Sequence, residues 1–170
     1  MLIVNMLELA KFESGTYKMQ MDIFYIDKAI KHICEQFSLE ITKKQLHVHT
    51  QLSAIEVIAN HHRIEQVLTN FTINAIRYTP EKENIIISTI DEPSRIKVCI
   101  ENKGVHIEED QLDKIWDRFY RVDTARQRSQ GGTGLGLVIS KNILELHGAE
   151  YGVHNTVDGV LFYFYLQKKV

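Results

Sequence analysis

Cysteine is scarce in this sequence: Cys34 and Cys99 are the only two among 170 residues. Both stand in apolar surroundings, far apart along the chain and without the close spacing that metal sites show. The pattern therefore predicts two reduced core residues of a cytosolic protein, and neither a disulfide framework nor a zinc site.

Long apolar runs and a charge imbalance are also missing, and proline is scarce. No run approaches the roughly 20 apolar residues that a membrane span needs, and no secretory signal is present. The net charge of −2 gives no electrostatic reason to expect nucleic acid or an anionic membrane as partner. With 44% hydrophobic residues and two prolines, the composition is that of a folded globular domain plus a short extra segment.

Helical and strand-like patterns alternate along the chain. Helical spacing occurs in residues 27–44, 61–78 and 134–147, and Gly148 is placed to end the last of these helices. Strand patterns occur in QLHVHTQL, AIEVIA, ENIIISTI, RIKVCIEN, YGVHNT and VLFYFYLQ, with DEPS and DG as hairpin turns. Residues 103–132 look irregular, with two short helical patches around Gln111 and Trp116. This order predicts a two-layer α/β sandwich, a mixed sheet with helices on one face.

The first stretch, MLIVNMLELAKFESG, begins in mid-pattern with no N-cap, and Gly15 is placed to end it. We interpret it as the tail of a longer helix. The alternative is an ordinary N-terminal helix that packs on the domain.

The segment RIEQVLTNFTINAIRYTP has two distinct faces when it is drawn as a helix. Its core stripe consists of Ile64, Leu68, Phe71 and Ala75, and an adjoining arc carries Asn70, Asn74 and Arg77, with Tyr78 at its border. Asparagine is a poor helix former, so two of them one turn apart need an explanation. An amide oxygen suits Mg²⁺ when phosphates supply the charge, and an arginine suits phosphate. A merely solvated polar face is the alternative for this helix alone.

Two glycine-rich segments follow the central helix. IENKGVHI is a strand that runs into a glycine turn, and QGGTGLGL leads into a helix, whose free N–H groups favour an anion. Between them lies DRFYRVDTARQRSQ, a long polar segment with four arginines, which is typical of a functional lid.

These four segments, in this order, resemble the catalytic ATP-binding domain of bacterial sensor histidine kinases. QVLTNFTINAIRYTP resembles the family's asparagine box, IENKGVHI its first glycine box, WDRFYRV its phenylalanine box and GGTGLGL its second glycine box. ELAKFESGTYKMQ resembles the end of the dimerisation helix hairpin. The resemblance implies a Bergerat-type sandwich in residues 21–170, with residues 1–20 as the end of the hairpin plus a linker.

The resemblance also implies roles for individual residues. Asn74 would hold Mg²⁺, Tyr78 would pack at the adenine, and Gly131 with Gly132 would form the hinge of the lid. Catalytic roles would fall to Asn70, Arg77, Arg121 and Arg126, with Arg128 as a further arginine near the γ-phosphate. Nucleotide binding would involve Asn70, Asn74, Arg77, Tyr78, Asn102, Gly104, Ile107, Phe119, Gly132, Thr133, Gly134, Leu135, Gly136 and Leu137.

Two positions depart from the family pattern. Asn102 stands where an Asp usually accepts a hydrogen bond from the adenine amine, so that bond would lack charge assistance. Loss of this charge assistance would weaken ATP binding about fivefold. His106 stands where a glycine is expected, and we interpret it as a surface residue on a slightly different turn. Some sensor kinases similar to glycopeptide-resistance sensors share this Asn-x-Gly version.

Other histidines invite a metal or phosphoacceptor interpretation. His47 with His49, and His61 with His62, have no third ligand nearby in sequence, so exposed side chains are expected. His32 and His147 are interpreted as surface or helix-end residues. None of the eight histidines is followed by Glu or Asp, as the family's phosphoacceptor is.

The implied function is transfer of the γ-phosphate of Mg·ATP to a histidine on the dimerisation helices, for relay to a response regulator. The implied partners are that regulator and the chain's own dimerisation domain, and neither nucleic acid nor direct membrane contact is expected. The whole protein would be a membrane-bound dimer, and its catalytic domain would be cytoplasmic and monomeric by itself. One alternative is an ATP hydrolase of the same superfamily, but it would need a Glu where Asn70 stands. The other is a degenerate nucleotide sensor or interaction module, suggested by Asn102 and His106.

Overall fold

The computed structural model describes residues 2–121 and 132–170. Five helices occur in these residues: α1 Leu2–Glu13, α2 Ile26–Gln36, α3 Ser38–Lys43, α4 His61–Tyr78 and α5 Gly136–Leu146. Two short 3₁₀ turns, Glu109–Gln111 and Lys114–Trp116, lie where the sequence predicted helical patches. No helix in the described ranges is both long and apolar enough to span a bilayer.

Seven strands of the described residues form one mixed sheet. They are β1 Asp22–Tyr25, β2 His47–Gln51, β3 Glu56–Ala59, β4 Asn84–Asp91, β5 Arg95–Lys103, β6 Tyr151–Asn155 and β7 Gly159–Lys168. The order is β1-β3-β7-β5-β4-β2, and β6 pairs with β7. β2 and β4 run parallel, whereas the other pairs are antiparallel, so the predicted mixed sheet is confirmed.

The hydrophobic core lies between the sheet and the helices on one of its faces. Alternate residues of β5 and β7 point into it, namely Ile96, Val98 and Ile100, and Val160, Phe162, Phe164 and Leu166. The core stripe expected on α4 is buried as well: Ile64, Leu68, Phe71 and Ala75 are each at most 2% exposed. Side chains with period 2 on strands and 3.6 on helices thus meet in one apolar layer.

The expected helix over residues 27–44 is wrong in detail, because the structure has two helices there. Phe37 ends α2 with a backbone (φ −99°, ψ 12°) that does not continue the helix, and α3 starts at the next residue. The strand β1 was not expected, and the last helix begins at Gly136 rather than at residue 134. Gly148 ends that helix with φ +63°, as expected.

Helix α1 contributes to the core mainly through its C-terminal half. Leu9 and Phe12 are buried in the common core, while Ile3, Val4 and Leu7 are largely exposed. Gly15 follows the helix with φ +70°.

A half-buried polar cluster fixes this contact. Arg63 forms an ion pair with Glu8, and its Nε donates to the Tyr17 hydroxyl at 3.0 Å. Gln66 Nε2 donates to Glu8 Oε2 at 2.7 Å. The arginine therefore joins α1, the following linker and α4.

Both cysteines are free. Cys99 is buried and Cys34 is half-buried against the core, and burial raises the pKa of both thiols. A raised thiol pKa means little thiolate at neutral pH, so both are poor nucleophiles.

Candidate nucleotide-binding site

The C-terminal half of α4 forms one wall of the candidate site. Asn60 caps the start of the helix by accepting a hydrogen bond from the Arg63 N–H at 2.9 Å. At the other end, Lys44 Nζ donates to the carbonyls of Ile76 at 2.7 Å and Arg77 at 3.1 Å. A cation at a helix C-terminus is favourable, although burial lowers the pKa of the Lys44 ammonium.

Asn70 connects this wall to α5. Its Nδ2 donates to the Gly136 carbonyl at 3.0 Å and to Ser140 Oγ at 3.1 Å. Ser140 is fully buried and donates to the same carbonyl at 2.9 Å. Because a carbonyl only accepts, the amide nitrogen of Asn70 must face Gly136, which leaves its oxygen as the free acceptor.

Asn74 and Asn102 differ from Asn70, because neither side chain forms a hydrogen bond with any residue in 2–121 or 132–170. Asn74 is half-buried on α4, one turn after Asn70. Asn102 is only 3% exposed on β5, on the strand face that is turned towards α4. With no hydrogen-bond partner among the described residues, both amide groups are available for a ligand.

The second wall comes from the segment that precedes α5. Gly132 has φ +113°, and a Cβ placed on it would lie 2.8 Å from Arg77 Nη1. The Arg77 guanidinium therefore lies directly against the glycine backbone, and a larger residue would displace it. The structure thus brings together two positions that are far apart in the sequence.

Gly134 is likewise packed closely against another residue, Phe119, at the start of the polar segment. With φ +72°, its missing Cβ would lie 2.8 Å from the Phe119 Cα, and its carbonyl accepts the Phe119 N–H at 3.0 Å. Phe119 itself has φ +60°, an unusual value for a residue with a side chain, and its ring is 54% exposed. The expected phenylalanine and glycine boxes therefore contact each other through their backbones.

Gly104 packs against the residues at the C-terminal end of α4 and bounds the candidate site on that side. A Cβ there would lie 3.1 Å from Pro80 Cδ and 3.3 Å from the Tyr78 carbonyl, and its φ is +142°. His106 points to the surface, where its Nε2 lies 2.6 Å from the Thr156 carbonyl. The histidine thus occupies a surface turn, as interpreted from the sequence.

The remaining predicted residues lie at several depths. Tyr78, Ile107 and Leu137 are half-buried, whereas Leu135 is fully buried and can offer only its backbone to a ligand. Thr133 Oγ1 accepts from the Leu135 N–H at 3.3 Å and from Asn5 Nδ2 at 3.4 Å. Arg121 is half-buried. Arg126, Arg128 and Gly131 lie outside the described residues.

Sequence reasoning missed residues that support the site from behind. Ser140 stands four residues after Gly136, and that helical spacing could have suggested its bond to the Gly136 carbonyl. Lys44 and Asn155 carry no local signal, because each acts on a segment distant in the sequence. His147 is a helix-end residue, as expected, but it is half-buried rather than at the surface.

No three His, Cys, Asp or Glu side chains come together as a metal site within the part of the chain that is described. Any cation in this cleft would therefore depend on neutral amide oxygens and on its ligand. This donor set suits Mg²⁺ that arrives with phosphate, because Mg²⁺ keeps several waters and takes few protein ligands.

A mixed sheet covered by helices on one face, with a polar helix next to a glycine segment, defines a two-layer α/β domain. Residues 59–170 match the family described as histidine kinase-, DNA gyrase B- and HSP90-like ATPase. The chain is 34% identical over 155 residues to sensor histidine kinase WalK of Bacillus subtilis (strain 168), which covers 88% of this chain and 25% of WalK. It is 41% identical over 97 residues to probable sensor kinase SilS of Salmonella typhimurium, which covers 57% of this chain and 20% of SilS.

The solved catalytic domain of histidine kinase ThkA superposes with a TM-score of 0.80 at 30% identity, covering 88% of this chain and 97% of that domain. The chain therefore belongs to the histidine kinase-, DNA gyrase B- and HSP90-like ATPase family, as the ATP-binding catalytic domain of a sensor histidine kinase. It spans a quarter or less of the length of the curated relatives named above. The resemblance found from the four boxes is confirmed, and so is the fold class.

Proposed function

We propose that this chain binds Mg·ATP in the cleft between α4, β5 and residues 132–136, and presents the γ-phosphate to a histidine on the dimerisation helices. The observation that carries the proposal is the pair of unpartnered amides, Asn74 and Asn102. One is half-exposed beside Arg77, where phosphates would lie, and the other is buried, where a base would lie. No His-Glu or His-Asp pair occurs in the sequence, so the acceptor would come from elsewhere.

Asn74 would hold Mg²⁺ through its amide oxygen, with the free oxygen of Asn70 on the same side. When bound, the ion would neutralise phosphate charge at the transferred group. Arg77, Arg121 and Arg126 would add positive charge around the phosphates, and the N–H groups of residues 132–137 would face them at the start of α5.

The other residues of the proposed site would hold the nucleotide in place. Asn102 would accept a hydrogen bond from the adenine amine, and Gly104 with Ile107 would lie against the base near Tyr78. Gly132 and Gly134 would let the segment approach the triphosphate, and Phe119 would lie beside Gly134. Phosphoryl transfer depends mainly on positioning and charge neutralisation, so no covalent intermediate on this chain is needed.

Hydrolysis as the main activity is disfavoured by Asn70. A general base must accept a proton from water, and a carboxamide does not. The Asn70 amide is also engaged with Gly136 and Ser140, where it supports the start of α5.

The proposed partners follow from the relatives. A structure of ThkA in complex with the response regulator TrrA superposes with a TM-score of 0.77 at 24% identity, and full-length ShkA is known in complex with AMPPNP. We expect this chain likewise to serve a response regulator. Residues 1–20 would belong to the dimerisation hairpin and linker and residues 21–170 to the catalytic domain, in a dimeric membrane protein whose catalytic domain is cytoplasmic.

The test is a calorimetric titration of the chain with ATP, with and without Mg²⁺. Wild-type protein should bind ATP more tightly with Mg²⁺, and Asn74→Ala should remove that difference while leaving the fold intact. Asn142→Ala is the matched control, because Asn142 lies on α5 and donates to the Val138 carbonyl of the same helix. ATP binding without any Mg²⁺ effect would favour a degenerate sensor module.

Phosphotransfer is tested separately with γ-labelled ATP and a helical hairpin that carries an acceptor histidine. Label should move to the hairpin and should not accumulate on this chain. Measurable Mg·ATP binding without transfer to any such hairpin would contradict the kinase proposal and leave only the nucleotide-binding part.

A further inference from the structure

The loop that follows β5 has little support of its own. Residues 105–108 belong to no helix or strand, and the side chains of Val105 and His106 are exposed, Val105 to 84%. The loop nevertheless links Gly104, which lies under the end of α4, to the half-buried Ile107. Something outside the loop must therefore fix its path.

Asn155, the last residue of β6, supplies that support through its side chain. Asn155 Oδ1 accepts the Ile107 N–H at 2.9 Å, and Asn155 Nδ2 donates to the Ile107 carbonyl at 2.7 Å. Both backbone groups of Ile107 are thus satisfied by a single carboxamide. Only an amide side chain offers a donor and an acceptor in this arrangement.

Three neighbouring contacts also fix the loop. The Gly104 N–H donates to the Asp158 carbonyl at 3.0 Å, and Lys103 Nζ donates to Asp158 Oδ1 at 2.7 Å. His106 Nε2 lies 2.6 Å from the Thr156 carbonyl, and because a carbonyl only accepts, this nitrogen carries the proton. Asn155 and the turn between β6 and β7 therefore hold the loop at residues 103, 104, 106 and 107.

We propose that Asn155 is a positioning residue of the nucleotide site: it fixes the backbone of residues 104–107 beside Asn102 while touching no nucleotide itself. The inference rests on the proposed binding of ATP in this cleft. A loop that is already ordered loses little conformational entropy when a ligand binds, whereas a loose loop must be ordered at the expense of affinity. Asn155 thus acts on affinity through Ile107.

The test compares Asn155→Ala with wild-type protein and with Asn155→Asp. We expect Asn155→Ala to weaken Mg·ATP binding by about tenfold, since two backbone hydrogen bonds and the order of the loop are lost. Asn155→Asp keeps the acceptor for the Ile107 N–H and loses the donor, so its affinity should lie between the two. Amide hydrogen exchange in the unliganded protein should accelerate at residues 105–107 in Asn155→Ala and stay unchanged in β5.

Asn142→Ala again serves as the control, because it loses a side-chain bond to a backbone carbonyl but lies on α5. Asn155→Ala loses two bonds and should lower the melting temperature somewhat more than Asn142→Ala, whereas the loss of affinity should be specific to Asn155. An unchanged Kd in Asn155→Ala, or an equal loss in Asn142→Ala, would overturn the inference. Wild-type protein that binds no ATP would instead overturn the proposed function, and this inference with it.

Discussion

Arg77 and Gly132 are packed so closely that a single methyl group on the glycine would lie 2.8 Å from Arg77 Nη1. This contact joins the end of α4 to the segment before α5. The guanidinium is thereby held at the mouth of the cleft, where a phosphate would meet both the arginine and the N–H groups of the glycine segment.

Replacing this glycine should weaken nucleotide binding. Gly132→Ala combines a backbone strained at φ +113° with displacement of Arg77, and we expect Mg·ATP affinity to fall about tenfold. Gly15→Ala is the matched control, because Gly15 also has positive φ (+70°) but its missing Cβ meets no atom within 4 Å. Isothermal titration of both variants checks the prediction, and equal affinities would show that Arg77 does not depend on Gly132.

The buried amide of Asn102 leads to a prediction of the opposite sign. Asn102→Asp should tighten ATP binding about fivefold, because a charged acceptor forms a stronger hydrogen bond with the adenine amine. It should also lower the stability of the ligand-free protein, since Asn102 is 3% exposed and an unpaired carboxylate there is poorly solvated. Titration calorimetry and urea unfolding measure the two effects, and weaker ATP binding by the Asp variant would show that Asn102 does not face the amine.

The sequence predicted best those features whose signal is local. Helix α4 and its two faces follow from an apolar period within 18 residues, and the hairpin of β6 and β7 from the Asp158–Gly159 turn. The break at Phe37 was missed because neither Gly nor Pro marks it and the apolar spacing continues through it. β1 was missed because its four residues become a strand only by pairing with β3.

In the candidate site too, residues with a local sequence signal were predicted, whereas contacts between distant positions were not. The order of the four boxes predicted Arg77 and the glycine segment as parts of one site, and Arg77 lies against Gly132 in the structure. The supporting residues Ser140 and Asn155 were not foreseen. Asn70, which donates to Ser140, and Ile107, which contacts Asn155, lie 70 and 48 positions away in the sequence, so only the folded chain brings these pairs together.

The arginine that joins α1 to α4 should be important for stability. Arg63→Ala would leave Glu8 largely buried without its cation and would remove the guanidinium from the rings of Phe12 and Tyr17, 4.9 and 5.3 Å from its Cζ. We expect a loss of about 1–3 kcal/mol in the free energy of unfolding, below the full cost of breaking a buried pair, because both side chains keep some exposure. Urea unfolding measures it.

Arg95→Ala is the control for this prediction. Arg95 also has two acidic partners, Glu92 and Glu150, and lies over the Tyr165 ring, but it is a surface residue, so its ion pairs should matter less. Hydrogen exchange should accelerate in α1 for Arg63→Ala only. Equal destabilisation by both substitutions, with α1 equally protected, would contradict the role given to Arg63.

His147 should make the stability of the protein depend on pH. Its Nδ1 lies 2.7 Å from the Ile143 carbonyl and its Nε2 lies 3.0 Å from the Asn60 N–H, so the ring fits its site only when Nε2 is an unprotonated acceptor. Burial lowers the pKa of His147 in the folded state, so the unfolded state binds the proton more readily. Its contribution to stability is complete above the unfolded pKa of about 6.5 and decreases as the pH falls below it, by at most about 1.4 kcal/mol per pH unit. Urea unfolding between pH 7.5 and 5 should show a shallower decline in the free energy of unfolding for His147→Gln than for wild-type protein. The control His154→Gln, whose histidine is exposed, should keep the wild-type decline. A wild-type slope in His147→Gln would assign the pH dependence to other groups.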